Sequence, residues 1–158
     1  MDILKMLTSQ LSDPKVLEEL SKKAGARPDQ AQQLAQNALP TLLNTLQKNA
    51  STPEGAKSLN KALEDHKDDK VDDIFSFLNN VDTNDGAKML QHIFGSKNET
   101  VQKDLAKKAG METNQVSNLL TQLAPLVIGA LGNQKKQQGG GDVMNLIGGV
   151  LGGFFKKQ

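Results

Sequence analysis

The sequence predicts an all-α fold: a multihelical bundle with a buried, apolar central helix, an internal repeat and a glycine-rich C-terminal tail. Aromatic residues make up only 3% of the chain, and Trp and Tyr are absent, so Leu, Ile, Val, Ala and Met must form the core. This mixture favours helix, because strands are enriched in aromatic and β-branched residues. Apolar residues also recur at helical spacing in several segments.

An internal repeat relates two parts of the chain at an offset of 85 residues, from Val16 to Val101. Segments 16–25 and 101–110 both end in Lys-Lys-Ala-Gly, and the register holds without a gap over 16–50 and 101–135. It passes through the pairs Gln30/Gln115, Leu34/Leu119, Pro40/Pro125 and Leu46/Leu131. The second copy is apolar nearly all round between residues 119 and 131, so we predict a buried central helix at about 116–131.

Capping residues, prolines and glycines set the predicted helix boundaries. The helices are predicted at 2–11, 14–24, 28–46, 53–65, 71–78 and 86–94, followed by the second copy of the repeat from about residue 99. An N-cap candidate lies in Ser12-Asp13-Pro14, a capping-box-like start lies in Ser51-Thr52-Pro53-Glu54, and Gly25 is a C-cap glycine. Pro40 lies inside the third helix, so we expect a kink or a break just before it.

A shorter echo links segments 54–59 and 85–90, each of which begins with an acidic residue followed by Gly-Ala. The acid favours a helix N-terminus, and the small pair is predicted to allow close helix packing. In domain terms, we expect a helical domain over 1–134. A flexible, glycine-rich connector at 135–141 and an amphipathic tail at 142–158 are predicted to follow it.

Composition restricts the function classes. The net charge is only +1, which counts against nucleic acid and anionic membranes as general partners. The absence of cysteine excludes disulfides, thiolate nucleophiles and cysteine-ligated zinc. The N-terminal sequence lacks the pattern of a secretory signal, and no stretch approaches the roughly 20 apolar residues of a membrane span, so a cytoplasmic protein is expected. Export by a route without a signal peptide is left open.

The C-terminal tail is the main candidate for an interaction element. Its apolar residues recur every three to four positions: Val143, Met144, Leu146, Ile147, Val150, Leu151, Phe154 and Phe155. Such a stretch can dock into a partner's groove, pair with a second copy, fold back on its own domain or lie on a membrane, and a disordered tail is a further alternative. Against membrane binding, its polar face is mostly glycine, and four glycines cost roughly 3–4 kcal/mol of helix propensity relative to alanine. Self-association or docking on a partner is therefore the leading hypothesis.

A helix-turn-helix is the alternative with the sharpest residue pattern. Segment 105–118 places an alanine, a turn glycine and a later apolar residue at a spacing used by bacterial repressors. The residues after the turn would contact bases, and all of them can form hydrogen bonds: Thr113, Asn114, Gln115, Ser117 and Asn118. The predicted second helix runs into the most apolar part of the chain, and Glu112 would face phosphate. An ordinary helix C-terminus is the stronger interpretation, and nucleic acid is not expected as a partner.

No residue pattern indicates an enzyme. The aspartates at 65, 68, 69, 72 and 73 lack the spacing of a calcium loop and are interspersed with lysines, so a solvated linker with capping acids is the better interpretation. His66 and His92 are far apart in sequence, without ligand-like neighbours. We therefore predict no catalytic residues, no metal, no cofactor and no small-molecule substrate.

The chain resembles the bacterial domain of unknown function numbered 937, close to the YidB-like proteins. The resemblance covers about residues 7–131 and rests on Leu39-Pro40-Thr41-Leu42-Leu43, Pro53-Glu54-Gly55-Ala56 with Leu59 and Ala62-Leu63, Asp85-Gly86 with Leu90, His92-Ile93-Phe94-Gly95, Leu119-Leu120 and Leu123-Ala124-Pro125. It implies a multihelical fold with a buried central helix, and it brings no catalytic or binding residues. The leading hypothesis is a non-enzymatic helical interaction protein, with DNA binding and membrane association or export as alternatives.

Overall fold

The computed structural model describes residues 3–71 and 73–137, and its regular structure there is helical throughout. The α-helices are α1 (Ile3–Gln10), α2 (Pro14–Ala24), α3 (Pro28–Asn49), α4 (Pro53–Asp65), α5 (Ile74–Asn80), α6 (Thr83–Phe94), α7 (Asn98–Ala109) and α8 (Thr113–Gln137), with a 3-10 turn at Gly95–Lys97. No strand occurs in these ranges. The predicted all-α class is confirmed.

Helix α8 is the centre of the molecule. Every residue from 119 to 132 is buried, including Thr121 and Gln122, and α8 packs against each of the other seven helices. A helix without a polar face gains free energy only when other elements surround it, because the hydrophobic contribution scales with the apolar area removed from water. The predicted central helix is thus confirmed.

The internal repeat is visible at the level of single hydrogen bonds. Gly25 and Gly110 both end their helices in the left-handed conformation, with φ of 69° and 65°. The Gln30 side chain accepts from the backbone N–H of Arg27 at 3.1 Å, and the Gln115 side chain accepts from that of Glu112 at 3.0 Å. The pairs α2–α3 and α7–α8 are therefore two copies of one helical hairpin.

The two hairpins pack reciprocally. The first helix of each copy contacts the second helix of the other, since α2 packs on α8 and α7 packs on α3. This is the pattern of an approximate two-fold arrangement. The copies differ on the outer face: Gln36 and Asn44 are exposed on α3, whereas the equivalent Thr121 and Gly129 are buried on α8. The second copy is enclosed more completely, because α1 and α5 also pack against α8.

Several boundaries differ from the sequence-based prediction. Helix α3 runs through Pro40 without a break, so of the predicted kink or break, the break is wrong. Helix α5 begins at Ile74 because the Asp73 carboxylate accepts from Ser76 N, and α6 begins at Thr83 because that of Asp82 accepts from Asn84 N. Helix α8 continues to Gln137, so its last turn covers the first three residues of the connector predicted at 135–141.

Candidate partner-binding groove

A groove runs across the surface between α4 and α6, with α8 beneath it. Both wall helices approach α8 closely at glycines. A Cβ atom at Gly86 of α6 would lie 1.9 Å from the Thr121 carbonyl oxygen, and one at Gly132 of α8 would lie 2.6 Å from that of Leu63 in α4. These contacts leave no room for a side chain, so the positions of the groove walls are fixed by backbone packing.

Two adjoining cavities make up the groove, with volumes of about 550 Å³ and 380 Å³. Met89 of α6 lines both, so the two cavities meet at this residue, and the smaller one is bordered by residues 66–70 and by α5. Along α4 the groove extends from Gly55 to His66, which is about 17 Å at the helical rise. The larger cavity alone falls in the range of roughly 300–1,000 Å³ that is typical of ligand sites.

The middle of the groove is apolar. Side chains from both walls and from the floor line it, namely Leu59, Ala62, Met89, Ile93 and Ile128. Leu59, Ile93 and Ile128 belong to the core, whereas Ala62 and Met89 are only partly buried. The middle of the groove is therefore an accessible apolar surface that is continuous with the core.

The two ends of the groove differ in charge. Lys48 and Glu54 lie at the end formed by the N-terminus of α4, and Lys88 adjoins Met89, where the two cavities meet. The other end carries three aspartates against one lysine: Asp69, Asp82, Asp85 and Lys70. The Asp69 carboxylate forms a hydrogen bond with His66 Nδ1 at 2.7 Å. One end of the groove is thus acidic, whereas the lysine and the glutamate offset each other at the opposite end.

The end of α8 is fastened to α4 and to the segment that follows it. The Lys135 ammonium donates to the Asn60 side chain, and Asn60 lies about 140° around α4 from Gly55, which faces the groove. The Asn133 amide donates to the Lys67 and Asp69 carbonyls at 3.1 Å and 2.9 Å. A hydrogen bond from Lys136 holds the pKa of the Asp68 carboxyl below its usual value. These contacts fix where the chain leaves the helical domain.

The predicted DNA-contact residues lie at the start of α8. Thr113 is its first residue, Asn114 and Asn118 are exposed, and Ser117 is half-buried. Gln115 has a structural role, because its amide donates to the Gly25 carbonyl at 2.7 Å and its oxygen caps α8 at Glu112 N. This bond joins the turns of the two hairpins. DNA contact through the other residues stays a prediction.

The predicted tail residues, from Val143 to Phe155, lie outside the described residues. Three aspartates of the acid-rich segment have partners within the fold: Asp68 pairs with Lys136, Asp69 with His66, and Asp73 caps α5. Within the described ranges, no cluster of three or more potential metal ligands occurs. His92, which has no assigned role in the sequence-based prediction, is exposed on the rim of the groove.

Sequence reasoning missed the groove itself. The shorter echo between 54–59 and 85–90 was its one visible signal, because these segments begin the two helices that form the walls. The predicted close packing is confirmed at both glycines, since a Cβ at Gly55 would lie 1.8 Å from the Asn49 carbonyl oxygen. Nothing in the local sequence shows that α4 and α6 lie side by side on α8.

Fold and groove together define a class: an all-α protein built from a duplicated helical hairpin, with a helix-lined groove on one face. The chain belongs to the family described as "Bacterial protein of unknown function (DUF937)", whose family model matches residues 5–134. No curated protein and no solved structure matches the chain. Among the helices of residues 3–71 and 73–137, none has the length and apolarity needed to cross a membrane.

Proposed function

We propose that this protein is a non-enzymatic, cytoplasmic interaction module that binds an amphipathic helix of a protein partner in the groove between α4 and α6. The observation that carries the proposal is the apolar middle of the groove, bounded by Leu59, Met89 and Ile128. Helix-in-groove recognition places apolar side chains at positions i, i+3, i+4 and i+7 into such a depression.

The dimensions of the groove support a helical ligand. A length of about 17 Å accommodates a helix of roughly 12 residues, or three turns. Both walls are helices seated rigidly on α8, so little conformational entropy is lost when the site is filled. The acidic rim at one end would orient the ligand, because complementary rim charges act mainly on specificity and association rate.

The C-terminal segment 142–158 gives the chain an interaction element of the complementary kind. Its apolar residues have the spacing that a groove of this type recognises, which supports protein–protein contact as the mode of action. The receptor for the first test is therefore the full chain with Ile147→Asp and Leu151→Asp, which removes the apolar surface of this segment and leaves the groove available.

The test uses a synthetic amphipathic helix of about 12 residues, with leucines at i, i+3, i+4 and i+7 and uncharged polar residues elsewhere. We expect saturable binding by fluorescence anisotropy, weakened about 30-fold or more by Met89→Arg, because a charge is then placed in the apolar centre of the contact. Gln91→Arg is the matched control: this residue is exposed on the same helix and does not line the groove.

Ala62→Arg on the opposite wall serves as a second groove variant, and circular dichroism verifies that each variant folds. The proposal is contradicted if the peptide does not bind. It is also contradicted if folded Met89→Arg and Ala62→Arg variants bind as tightly as the Gln91→Arg control.

A further inference from the structure

We infer that the occupant of the groove is segment 142–158 of a second copy of this chain. The inference deepens the proposed function and rests on it. The apolar part of segment 142–158 is followed by Lys156 and Lys157, and the apolar middle of the groove is followed by an acidic end.

The lengths agree. The apolar residues of the segment run from Val143 to Phe155, which is about 18 Å as a helix, against about 17 Å for the groove. The positions 143, 146, 147, 150, 151, 154 and 155 then share one face, because helical neighbours lie three and four residues apart. The glycines at 148, 149, 152 and 153 fall on the opposite face. They disfavour an isolated helix, so the groove must supply the free energy that orders it.

The charges fix the direction of the segment. Asp142 precedes the apolar residues, and Lys156 and Lys157 follow them. With Asp142 at the end near Lys48, the two C-terminal lysines reach the acidic end that carries Asp82 and Asp85. The reversed direction would place Asp142 beside these aspartates, which is unfavourable.

The geometry favours a second copy over the same chain. Helix α8 ends beside the acidic end of the groove, since Asn133 donates to the Asp69 carbonyl and Lys136 donates to the Asp68 carboxylate. The proposed direction places Asp142 at the opposite end, about 17 Å along the groove. The link from residue 137 to residue 142 spans at most about 18 Å, so the same chain would reach that end only with a fully extended link. A second copy can enter the open face of the groove without this constraint.

Two copies that exchange this segment form a closed pair. Each copy supplies one groove and one segment. A reciprocal exchange therefore fills both grooves and leaves no groove or segment free to bind a further copy. We therefore expect a dimer rather than an open filament.

Complementation between two full-length variants tests the inference. One copy carries Met89→Arg and keeps its segment; the other carries Ile147→Asp and Leu151→Asp and keeps its groove. We expect the wild-type chain to be a dimer by size-exclusion chromatography with light scattering, and each variant alone to be monomeric. Mixed together, they should form a heterodimer through one groove and one segment.

Charge reversal tests the direction. Lys156→Glu with Lys157→Glu should weaken the wild-type dimer by about two- to fivefold for each exposed pair lost at low salt. Asp85→Lys in the same chain should restore part of that loss. Both effects should disappear at about 1 M salt, where the Debye length is about 3 Å. A loss of dimer that Asp85→Lys does not restore at low salt would overturn the proposed direction.

The outcomes separate the two proposals. A monomeric wild-type chain overturns the inference and leaves the groove as a site for other partners, provided that the synthetic helix binds in a Met89-dependent manner. In such a monomer, a spin label at residue 147 that broadens NMR signals from Met89 would assign the groove to its own segment. A wild-type dimer that Met89→Arg and Ala62→Arg leave intact also overturns the inference. If the groove variants change neither the binding of the synthetic helix nor the dimerisation of the chain, both proposals fail.

Discussion

At the scale of the residue, Gly86 sets how closely α6 approaches α8. A Cβ at this position would lie 1.9 Å from the backbone oxygen of Thr121, a distance that no side-chain rotation can relieve. The neighbouring helix must move, and the movement would disturb the buried contacts between α6 and the central helix. The absence of a side chain at Gly86 therefore allows the close contact with α8 that positions one wall of the groove.

We predict that Gly86→Ala lowers the free energy of unfolding by about 3 kcal/mol, at the upper end of the usual cost of overpacking. Gly110→Ala is the comparison, because this glycine has a φ of 65° and open space around it. Only the left-handed backbone is strained there, at about 1–2 kcal/mol. Urea denaturation followed by circular dichroism measures both. Equal losses would show that α6 can shift away from α8 at little cost.

At the scale of the element, the repeat allows matched substitutions in two copies of one turn. Gln30 and Gln115 both cap the second helix of their hairpin, but only Gln115 also donates to the Gly25 carbonyl, 2.7 Å away. The capping role follows from the local sequence. The additional bond exists only because the two hairpin turns meet in the folded protein.

We expect Gln115→Ala to cost about 1–2 kcal/mol of stability and Gln30→Ala about 0.5–1 kcal/mol, because the former loses a cap and a bond between turns. The difference can be measured by chemical denaturation of the two single variants. A double-mutant cycle between Gln115 and Gly25 cannot isolate this bond, because the acceptor is the backbone carbonyl of Gly25 and no substitution removes it. If Gln30→Ala proved the more damaging, the bond between turns would contribute nothing measurable.

At the scale of the whole molecule, α8 makes the fold one cooperative unit, because every other helix packs against it. Leu123 lies in the middle of α8 and is fully buried, and its counterpart in the first copy of the repeat is Ala38. The central copy has the larger side chain because more helices surround it. Loss of packing at this position should lower the stability of the entire bundle.

Leu123→Ala should therefore cost about 2–5 kcal/mol, a large part of the roughly 5–15 kcal/mol that stabilises a domain. Thermal unfolding should still show one transition, at a lower midpoint. Gln36→Ala on the exposed face of α3 is the control and should change stability by less than about 0.5 kcal/mol. Two separate transitions in Leu123→Ala would show that the hairpins unfold independently.

Much of the fold was predictable because its signals are local. Helices α2 and α4 begin and end where the sequence predicted, at a proline after an Asp or Thr cap and before Gly25 or the polar segment after Asp65. The starts of α5 and α6 were misplaced by three residues, because more than one aspartate could cap each helix. The break at Pro40 was wrong because the packing of α3 on both sides of the proline holds it helical.

The sequence by itself determined the helical class, the repeat and the buried central helix. These depend on residues a few positions apart and on the absence of a polar face between 119 and 131. Only the tertiary structure decided that the hairpins pack reciprocally and that Gln115 joins their turns. It also decided that α4 and α6 flank a groove with one acidic end. These features arise from contacts between residues distant in sequence, and close backbone packing at Gly86 and Gly132 fixes them.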